Sequence, residues 1–190
     1  MSNIRAAIFA SGTGSNFEAI MKANNLGCEI KLLICDQPGA LVVEKAKQYN
    51  VPTFVFKASN YPMKQAYERE ILQQLRAKDI QWIFLAGYMR IIGETLLTAY
   101  RGKIINIHPS LLPAFPGKDA IRQAVEAGAQ KTGVTIHYVD EGIDTGPIIS
   151  QETLTILPDD TVNSLKERIQ QIEHRLYPKV IKELIAKKRE

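Results

Sequence analysis

Cysteine is scarce in this sequence, and its spacing fits neither a disulfide framework nor a zinc site. The 190 residues contain only two cysteines, Cys28 and Cys35, which are too far apart to form a CxxC pair. Free cysteine usually packs as a small apolar side chain, so we expect both thiols to be buried. The cysteines therefore give no indication of a bound metal.

Long apolar runs are also absent, which bears on membrane association. No segment approaches the roughly 18 consecutive apolar residues of a spanning helix, and the N-terminus lacks the apolar core of a signal peptide. The net charge is +4, but the basic residues are scattered and not interleaved with aromatic residues, so nucleic acid is not an expected partner. We therefore expect a cytoplasmic protein that binds neither membrane nor nucleic acid.

Short β-branched runs alternate with amphipathic stretches, a pattern typical of βαβ units and a largely parallel sheet. It predicts a single α/β domain over residues 1–190: a Rossmann-like open twisted sheet, mostly parallel, with an antiparallel C-terminal portion and helices on both faces. The predicted strands are 4–11, 29–35, 52–56, 81–87, 103–108, 131–139 and 146–157, and the predicted helices are 15–24, 41–49, 61–78, 119–128 and 161–188.

Four local expectations follow from the same pattern. Pro62 falls early in a predicted helix, where its missing N–H costs little. Pro178 is expected to kink or divide the last helix, and Asp159 or Asp160 to cap its start. The alternating segment 131–139 predicts a half-exposed strand.

A glycine-rich turn, SGTGSNF, follows the first predicted strand and opens a helix. Such a turn brings backbone N–H groups and a helix N-terminus against an anion, which suggests a phosphate. Phe17 stands where a full GxGxxG would have its third glycine, so one phosphate is favoured over a whole dinucleotide. Two alternatives remain: a turn in which Ser15 only caps the helix, and an NAD site in which Asp36 binds a ribose.

The fifth predicted strand ends in an amide and an imidazole, Asn106 and His108. Their i, i+2 spacing places both side chains on one face, at the end of the strand where ligands bind in parallel sheets. A proline-rich wall, SLLPAFPG, follows directly. We expect Asp144, in the loop YVDEGIDTGPI, to lie near His108 and to raise its pKa. With no serine or cysteine nucleophile beside them, these groups favour direct transfer without an acyl-enzyme.

Five segments, in this order and over nearly the whole length, resemble the glycinamide ribonucleotide formyltransferases, the folate-dependent family of purine synthesis. They are SGTGSN, FLAGYMRII, INIHPSLLPAFPG, GVTIHYVDEGIDTGPII and QIEHRLYP. The HPSLLP-type motif is shared with other enzymes that use 10-formyltetrahydrofolate. The glycine turn and the single-domain length select this family, whereas a methionyl-tRNA formyltransferase would have a further domain.

The resemblance implies transfer of a formyl group from 10-formyltetrahydrofolate, as co-substrate, to the amine of glycinamide ribonucleotide through a tetrahedral intermediate. It implies no metal, and the protein is expected to be a monomer or homodimer. The part up to about residue 100 would be the phosphate- and nucleotide-binding half, and the remainder the folate-binding and catalytic half. Asn106, His108 and Asp144 would be catalytic, and Gly14, Ser15, Asn16 and Glu173 would bind the ribonucleotide. Folate would be bound by Lys64, Met89, Arg90, Ile91, Ile92, Asn106, Asp140, Glu141, Gly142, Ile143 and Asp144.

Two positions depart from the family pattern. Lys64 stands where some members have arginine, which keeps the charge but loses bidentate geometry. Asp36 stands where asparagine is familiar, without an obvious role. Thr135 and His137 are expected to support the site rather than to contact substrate.

Three other functions remain open at this stage. A formyltetrahydrofolate hydrolase would use water in place of the amine. An NAD-binding dehydrogenase is less favoured because hydride transfer does not explain Asn106, His108 and Asp144. A non-catalytic nucleotide-binding module would leave His108 as scaffold only.

Overall fold

The computed structural model describes residues 3–187 and contains one seven-stranded sheet flanked by helices. The strands are β1 (Ile4–Phe9), β2 (Cys28–Cys35), β3 (Thr53–Val55), β4 (Trp82–Leu85), β5 (Ile104–His108), β6 (Lys131–Tyr138) and β7 (Ile148–Thr155). The helices are α1 (Ser15–Lys22), α2 (Leu41–Gln48), α3 (Lys64–Ala77), α4 (Glu94–Ala99), α5 (Ala120–Glu126) and α6 (Val162–Lys187). Among residues 3–187, no helix is both long enough and apolar enough to cross a membrane.

The strand order is β3-β2-β1-β4-β5-β6-β7, which confirms the predicted fold class. The first five strands in this order are parallel, β6 is antiparallel to β5, and β7 is antiparallel to β6. The order reverses between β1 and β4, and in open parallel sheets such a reversal opens a crevice at the carboxyl ends of the strands.

Helices cover both faces of the sheet, and each layer has its own apolar core. Phe17 of α1 and Tyr177 of α6 are fully buried on one face, with Val42 of α2. Ile71 and Leu75 of α3 are fully buried on the other face. Burial of side chains of this size contributes about 1.5–3 kcal/mol each, so these contacts hold the helices on the sheet.

Several local expectations about the helices are wrong. Helix α3 begins at Lys64, so Pro62 precedes the helix rather than lying within it. Helix α6 runs through Pro178, so the expected division is wrong, whereas the expected kink stays a prediction. The hydroxyl of Thr161, not Asp159 or Asp160, accepts the capping bond from the N–H of Ser164. Helix α4 was not predicted, because its six residues are too few to show helical periodicity. The last residue of the predicted final helix, Lys188, lies outside the described residues.

Two burial expectations also need correction. Strand β6 was expected to be half-exposed, but residues 132–137 are all buried, because β6 lies between β5 and β7 and is covered on both faces. Cys35 is buried as expected, whereas Cys28, at the start of β2, is only partly buried.

Candidate active site at the carboxyl ends of β1, β4 and β5

Three segments meet at one edge of the sheet, next to the reversal of strand order. The N–H of Ser11, after β1, donates to the carbonyl of Gly87, after β4. Leu85, the last residue of β4, pairs with Asn106 in β5. The glycine turn, the segment 87–92 and the end of β5 are therefore neighbours.

The glycine turn leads directly into α1 and leaves its first N–H groups available. Gly14 is the N-cap, with φ of +72°, and no side chain caps the helix. A Cβ on Gly14 would lie 2.7 Å from Cγ2 of Val42, so only glycine fits. The alternative in which Ser15 merely caps the helix is thus wrong. The first-turn N–H groups of a helix have no intrahelical partner and attract anions.

Asn16 and Glu173 form a buried polar pair between α1 and α6. Asn16 Nδ2 donates to Glu173 Oε2 at 3.0 Å, and both side chains are more than nine-tenths buried. The other amide atom, Asn16 Oδ1, has no hydrogen-bond partner within residues 3–187. Burial raises the pKa of Glu173 to about 7. A buried acid beside an unpaired acceptor is costly in a ligand-free protein, and it suits a ligand that brings hydrogen-bond donors.

The raised pKa of Glu173 gives a testable dependence of stability on pH. The folded protein keeps a proton that the unfolded chain loses, so the free energy of unfolding should fall as the pH rises from about 4.5 to about 7. Glu173→Gln removes this titration and should stabilise the protein at pH 8, by about 3 kcal/mol at most. Urea unfolding of both proteins at pH 5 and pH 8 measures the difference.

The matched control is Glu167→Gln, an exposed position on the same helix. It should follow the wild-type protein at both pH values. An equal change in unfolding free energy from pH 5 to pH 8 in wild type and Glu173→Gln would contradict a raised pKa at Glu173.

Asn106, His108 and Asp144 lie together, as the sequence predicts. His108 Nδ1 is 3.3 Å from Asp144 Oδ2, and Asn106 Nδ2 is 3.5 Å from Asp144 Oδ1. Both strand residues are on one face of β5, and the loop after β6 brings Asp144 over that face. One carboxylate therefore bridges the imidazole and the amide.

The ring of His108 is oriented by the proline-rich wall. His108 Nε2 donates to the carbonyl of Phe115 at 2.9 Å, because a carbonyl oxygen can only accept. The second nitrogen, Nδ1, is therefore the one that gains or loses a proton, and it faces Asp144. The ring and the carboxylate thus share one titrating proton position.

The pKa of His108 is shifted in the direction opposite to our expectation. Burial lowers it, and this effect exceeds the rises caused by the Phe115 carbonyl and the Asp144 carboxylate. The predicted rise is therefore wrong, because sequence spacing does not reveal that the ring is about 95% buried, with 5% exposed. A ring with a lowered pKa is neutral in the ligand-free protein at pH 7 and can take up a proton.

Asp144 is held in place on several sides. Burial alone would raise its pKa, but His137, the N–H of Gly117 and His108 together hold it below the ordinary value. The Gly117 N–H donates to Asp144 Oδ2 at 2.8 Å. Asp144 has φ of +55°, a conformation that aspartate and asparagine adopt more readily than most residues. The carboxylate is therefore ionised and fixed in position.

His137, on the neighbouring strand β6, contacts the residues of this cluster. His137 pairs across the sheet with Asn106, and its Nε2 lies 3.3 Å from the Asn106 amide nitrogen. Its Nδ1 donates to the carbonyl of Tyr138 at 2.8 Å, and its Nε2 also lies 3.5 Å from Asp144 Oδ1. His137 therefore lies beside both the Asn106 amide and the Asp144 carboxylate.

A further network, which the sequence reasoning missed, fixes the proline-rich wall. Thr135 Oγ1 donates to the carbonyl of Ser110 and accepts from the N–H of Leu112. Gln151 of β7 donates to the same hydroxyl at 2.8 Å. Ser110 in turn donates to the carbonyl of Ala114, next to the Phe115 carbonyl that holds His108. Gln151 lies 43 residues from His108 in the chain, and no local signal pointed to it.

The predicted folate residues 89–92 alternate between exposed and anchored positions. Met89 and Ile91 are 61% and 54% exposed, while Ile92 is buried in the α3 and α4 core. Arg90 lies one-third exposed, with its Nε 2.7 Å from Asp36 Oδ2. Two large apolar side chains thus face solvent next to the end of β4, as an apolar ligand would require.

Lys64 lies at the base of this segment. A Cβ atom added to Gly93 would lie 2.9 Å from Lys64 Cε, which shows how close Lys64 is to this segment. The N–H of Gly93 donates to the buried Glu68 carboxyl at 2.6 Å. Lys64 is therefore near the predicted folate wall, beside a buried acid of its own helix.

The loop 140–144, the other predicted side of the folate pocket, is organised by its first residue. Asp140 Oδ1 accepts from the N–H of Gly142 and from the hydroxyl of Thr145. Glu141 is exposed, and Ile143 is 54% exposed. Only Asp144 of this loop reaches His108 among the contacts of residues 3–187.

The NAD alternative fails at Asp36. The Asp36 side chain is 1% exposed, and both of its oxygens already accept hydrogen bonds, from Ser11, Gln37 and Arg90. It has no free lone pair directed to solvent for a ribose hydroxyl. The acidic residue after β2 is thus a structural anchor rather than a ribose ligand.

Known formyltransferases are similar to this chain in sequence and in fold. The formyl transferase family profile matches residues 4–181. A phosphoribosylglycinamide formyltransferase of Bacillus subtilis (strain 168) is 54% identical over 183 residues, which are 95% of this chain and 94% of that protein. The crystal structure of glycinamide ribonucleotide transformylase 1 from Geobacillus kaustophilus has a TM-score of 0.95 and 57% identity, over 97% of this chain and 100% of that one. A phosphoribosylglycinamide formyltransferase from Bacillus halodurans superposes with a TM-score of 0.94 and 56% identity, over 96% of both chains.

Proposed function

The chain belongs to the formyl transferase family, and from this premise we propose that it transfers the formyl group of 10-formyltetrahydrofolate to the amine of glycinamide ribonucleotide. The resemblance found in the sequence motifs is confirmed by the family match. This protein is a formyltransferase of purine biosynthesis.

The observation that carries the proposal is the convergence of Asn106, His108 and Asp144 at the carboxyl end of β5. The amine attacks the formyl carbon, and the electrons of the C=O bond move to oxygen. Collapse of the tetrahedral intermediate breaks the bond to N10, which leaves with a proton as tetrahydrofolate. A site for this reaction needs hydrogen-bond donors at the oxygen and a route for one proton from amine to N10.

The geometry supports a role for each group. One hydrogen of Asn106 Nδ2 is directed to Asp144 Oδ1, and the second donates to the developing oxygen, while the amide lies beside His137 Nε2. His108 begins neutral and takes up at Nδ1 the proton released by the attacking amine. The positive charge of the ring then stabilises the negative oxygen electrostatically, because its Nε2–H is bound to the Phe115 carbonyl. Asp144 stabilises the charged ring and helps to pass the proton on to N10. This order follows from the lowered pKa of His108, whereas the raised pKa that the sequence predicted would favour a ring that is protonated before the amine attacks.

The ribonucleotide is proposed to bind along α1 and α6. Its phosphate would lie at the first turn of α1, against Gly14, Ser15 and Asn16. Its glycinamide end would reach Glu173, whose buried carboxyl and neighbouring unpaired Asn16 Oδ1 suit N–H donors. Folate would lie against residues 89–92 and 140–144, with Lys64 near its tail.

The deciding experiment follows 10-formyltetrahydrofolate by absorbance with purified protein, with and without glycinamide ribonucleotide. Consumption that requires both compounds is expected. Consumption with the folate alone would instead identify a hydrolase. Addition of NAD in place of either substrate serves as a control and should produce no change.

The remaining expectations stay predictions. They are a single formyltransferase domain over residues 1–190, a cytoplasmic location, and a monomer or homodimer. Within residues 3–187 one sheet runs through both proposed halves, and the proposed contact of Glu173 with the ribonucleotide would lie in the second half.

A further inference from the structure

Asp36 is a buried carboxylate with three side-chain donors, at the end of β2. Asp36 Oδ1 accepts from the Ser11 hydroxyl at 2.5 Å, and Oδ2 accepts from Arg90 Nε at 2.7 Å and Gln37 Nε2 at 3.2 Å. The residue is 2% exposed. A buried carboxylate is tolerated only when it is paired and hydrogen-bonded, and here the pairing reaches two other segments of the chain.

Ser11 connects the Asp36 carboxylate to the segment after β4 by hydrogen bonds. Its hydroxyl donates to Asp36 and accepts from the N–H of Met89 at 2.9 Å. Its own N–H donates to the carbonyl of Gly87. Asp36 thus sets the position of Met89 through Ser11, and that of Arg90 directly.

Arg90 is confined by two groups of different kinds. Its guanidinium is bound through Nε to Asp36 and lies over the ring of Tyr67, with 5.8 Å from Cζ to the ring centroid. One-third of the side chain remains exposed. A long flexible side chain is therefore held in one place at the surface of the predicted folate wall, before any ligand binds.

We infer that Asp36 is a positioning residue of the folate site, which presets the wall formed by Met89 and Arg90. The inference rests on the proposed function, because it takes residues 89–92 as that wall. Binding groups that are already ordered lose less conformational freedom when the ligand arrives, so preorganisation strengthens binding. Asp36 touches no reacting atom, and its removal affects folate binding rather than the chemical step.

The test is Asp36→Asn. The variant keeps the size of the side chain and an oxygen for Ser11, but it presents an amide NH₂ group to Arg90 Nε, which cannot accept a hydrogen bond. The KM for 10-formyltetrahydrofolate should rise about tenfold, while kcat changes less than about threefold and the ribonucleotide KM less than about twofold. Asp79→Asn, which loses an exposed pair with Arg5, is the matched control and should leave all three values unchanged.

A double-variant cycle separates positioning from a general loss of structure. If Asp36 acts through Arg90, Asp36→Asn combined with Arg90→Gln should have the folate KM of Arg90→Gln alone. A folate KM in the double variant that rises by the product of the two single increases would overturn the inference. Asp36→Glu, which keeps the charge but displaces the carboxylate, should also raise the folate KM.

Failure of this inference is distinguishable from failure of the proposed function. Wild-type protein that does not transfer the formyl group would remove the proposed function. Wild-type protein that does transfer it, with a folate KM unchanged in Asp36→Asn or in Asp36→Glu, would overturn the role of Asp36 alone.

Discussion

Asp144→Asn should lower kcat about a thousandfold and change the KM for either substrate only slightly. Loss of general acid–base assistance typically costs about 10²–10⁴ in rate, and Asp144 is the carboxylate that shares a proton position with His108. Asparagine tolerates the φ of +55° and still offers an oxygen to the Gly117 N–H. The change is thus confined to the charge, and steady-state kinetics with both substrates measures it.

The same variant should shift the pH dependence of the residual activity. The Asp144 carboxylate raises the pKa of His108, so its removal should lower that pKa further and move the acidic limb of the kcat/KM profile to lower pH. Glu126→Gln, an exposed position on α5 that lies 3.9 Å from Arg122, is the matched control and should behave as wild type. An unchanged kcat in Asp144→Asn would remove Asp144 from the mechanism.

Asn106→Ala should lower kcat and kcat/KM together by about 10²–10³, the loss typical of one oxyanion donor. Equal losses in the two constants are expected because the donor acts on an oxygen that becomes negative only in the transition state. The amide nitrogen lies 3.3 Å from His137 Nε2. Steady-state kinetics, with unfolding midpoints to confirm the fold, provides the measurement.

Asn163→Ala supplies the comparison for Asn106→Ala. Asn163 is exposed in the first turn of α6, so its truncation should leave kcat and KM as in wild type. A rise in KM at constant kcat in Asn106→Ala would instead assign the amide to ground-state binding and contradict its role at the oxyanion.

Most of the strands were predictable because they are short apolar runs bounded by turn residues. All four side chains of Trp82–Leu85 are buried, as the continuous apolar run 82–86 indicates for a central strand. The same reasoning placed Lys131–Tyr138 wrongly as half-exposed. Its alternation includes Thr132, Thr135 and His137, polar residues that the fold buries among hydrogen bonds and neighbouring strands. Alternation of residue type therefore does not measure exposure when both faces of a strand are covered.

The core of the candidate site was also accessible, because it depends on short-range spacing. Asn106 and His108 are two residues apart on one strand, so their shared face follows from strand geometry alone. The turn with Gly14 follows β1 directly, and its contact with the start of α1 is local. The acidic loop YVDEGIDTGPI already pointed to Asp144, whereas Glu173 came only from the family motifs, because no local pattern singles it out.

The amino-acid sequence alone was sufficient for the seven strands and five of the six α-helices within residues 3–187, for the family, and for the residues that meet within one turn or one strand. The role of Asp36, the direction of the pKa shift at His108 and the support from Gln151 depended on the folded chain. Each of these is a property of groups that are far apart in sequence and share a buried volume. Desolvation and hydrogen bonding depend on which groups are buried together, so they can be determined only when the positions of the strands and loops are known.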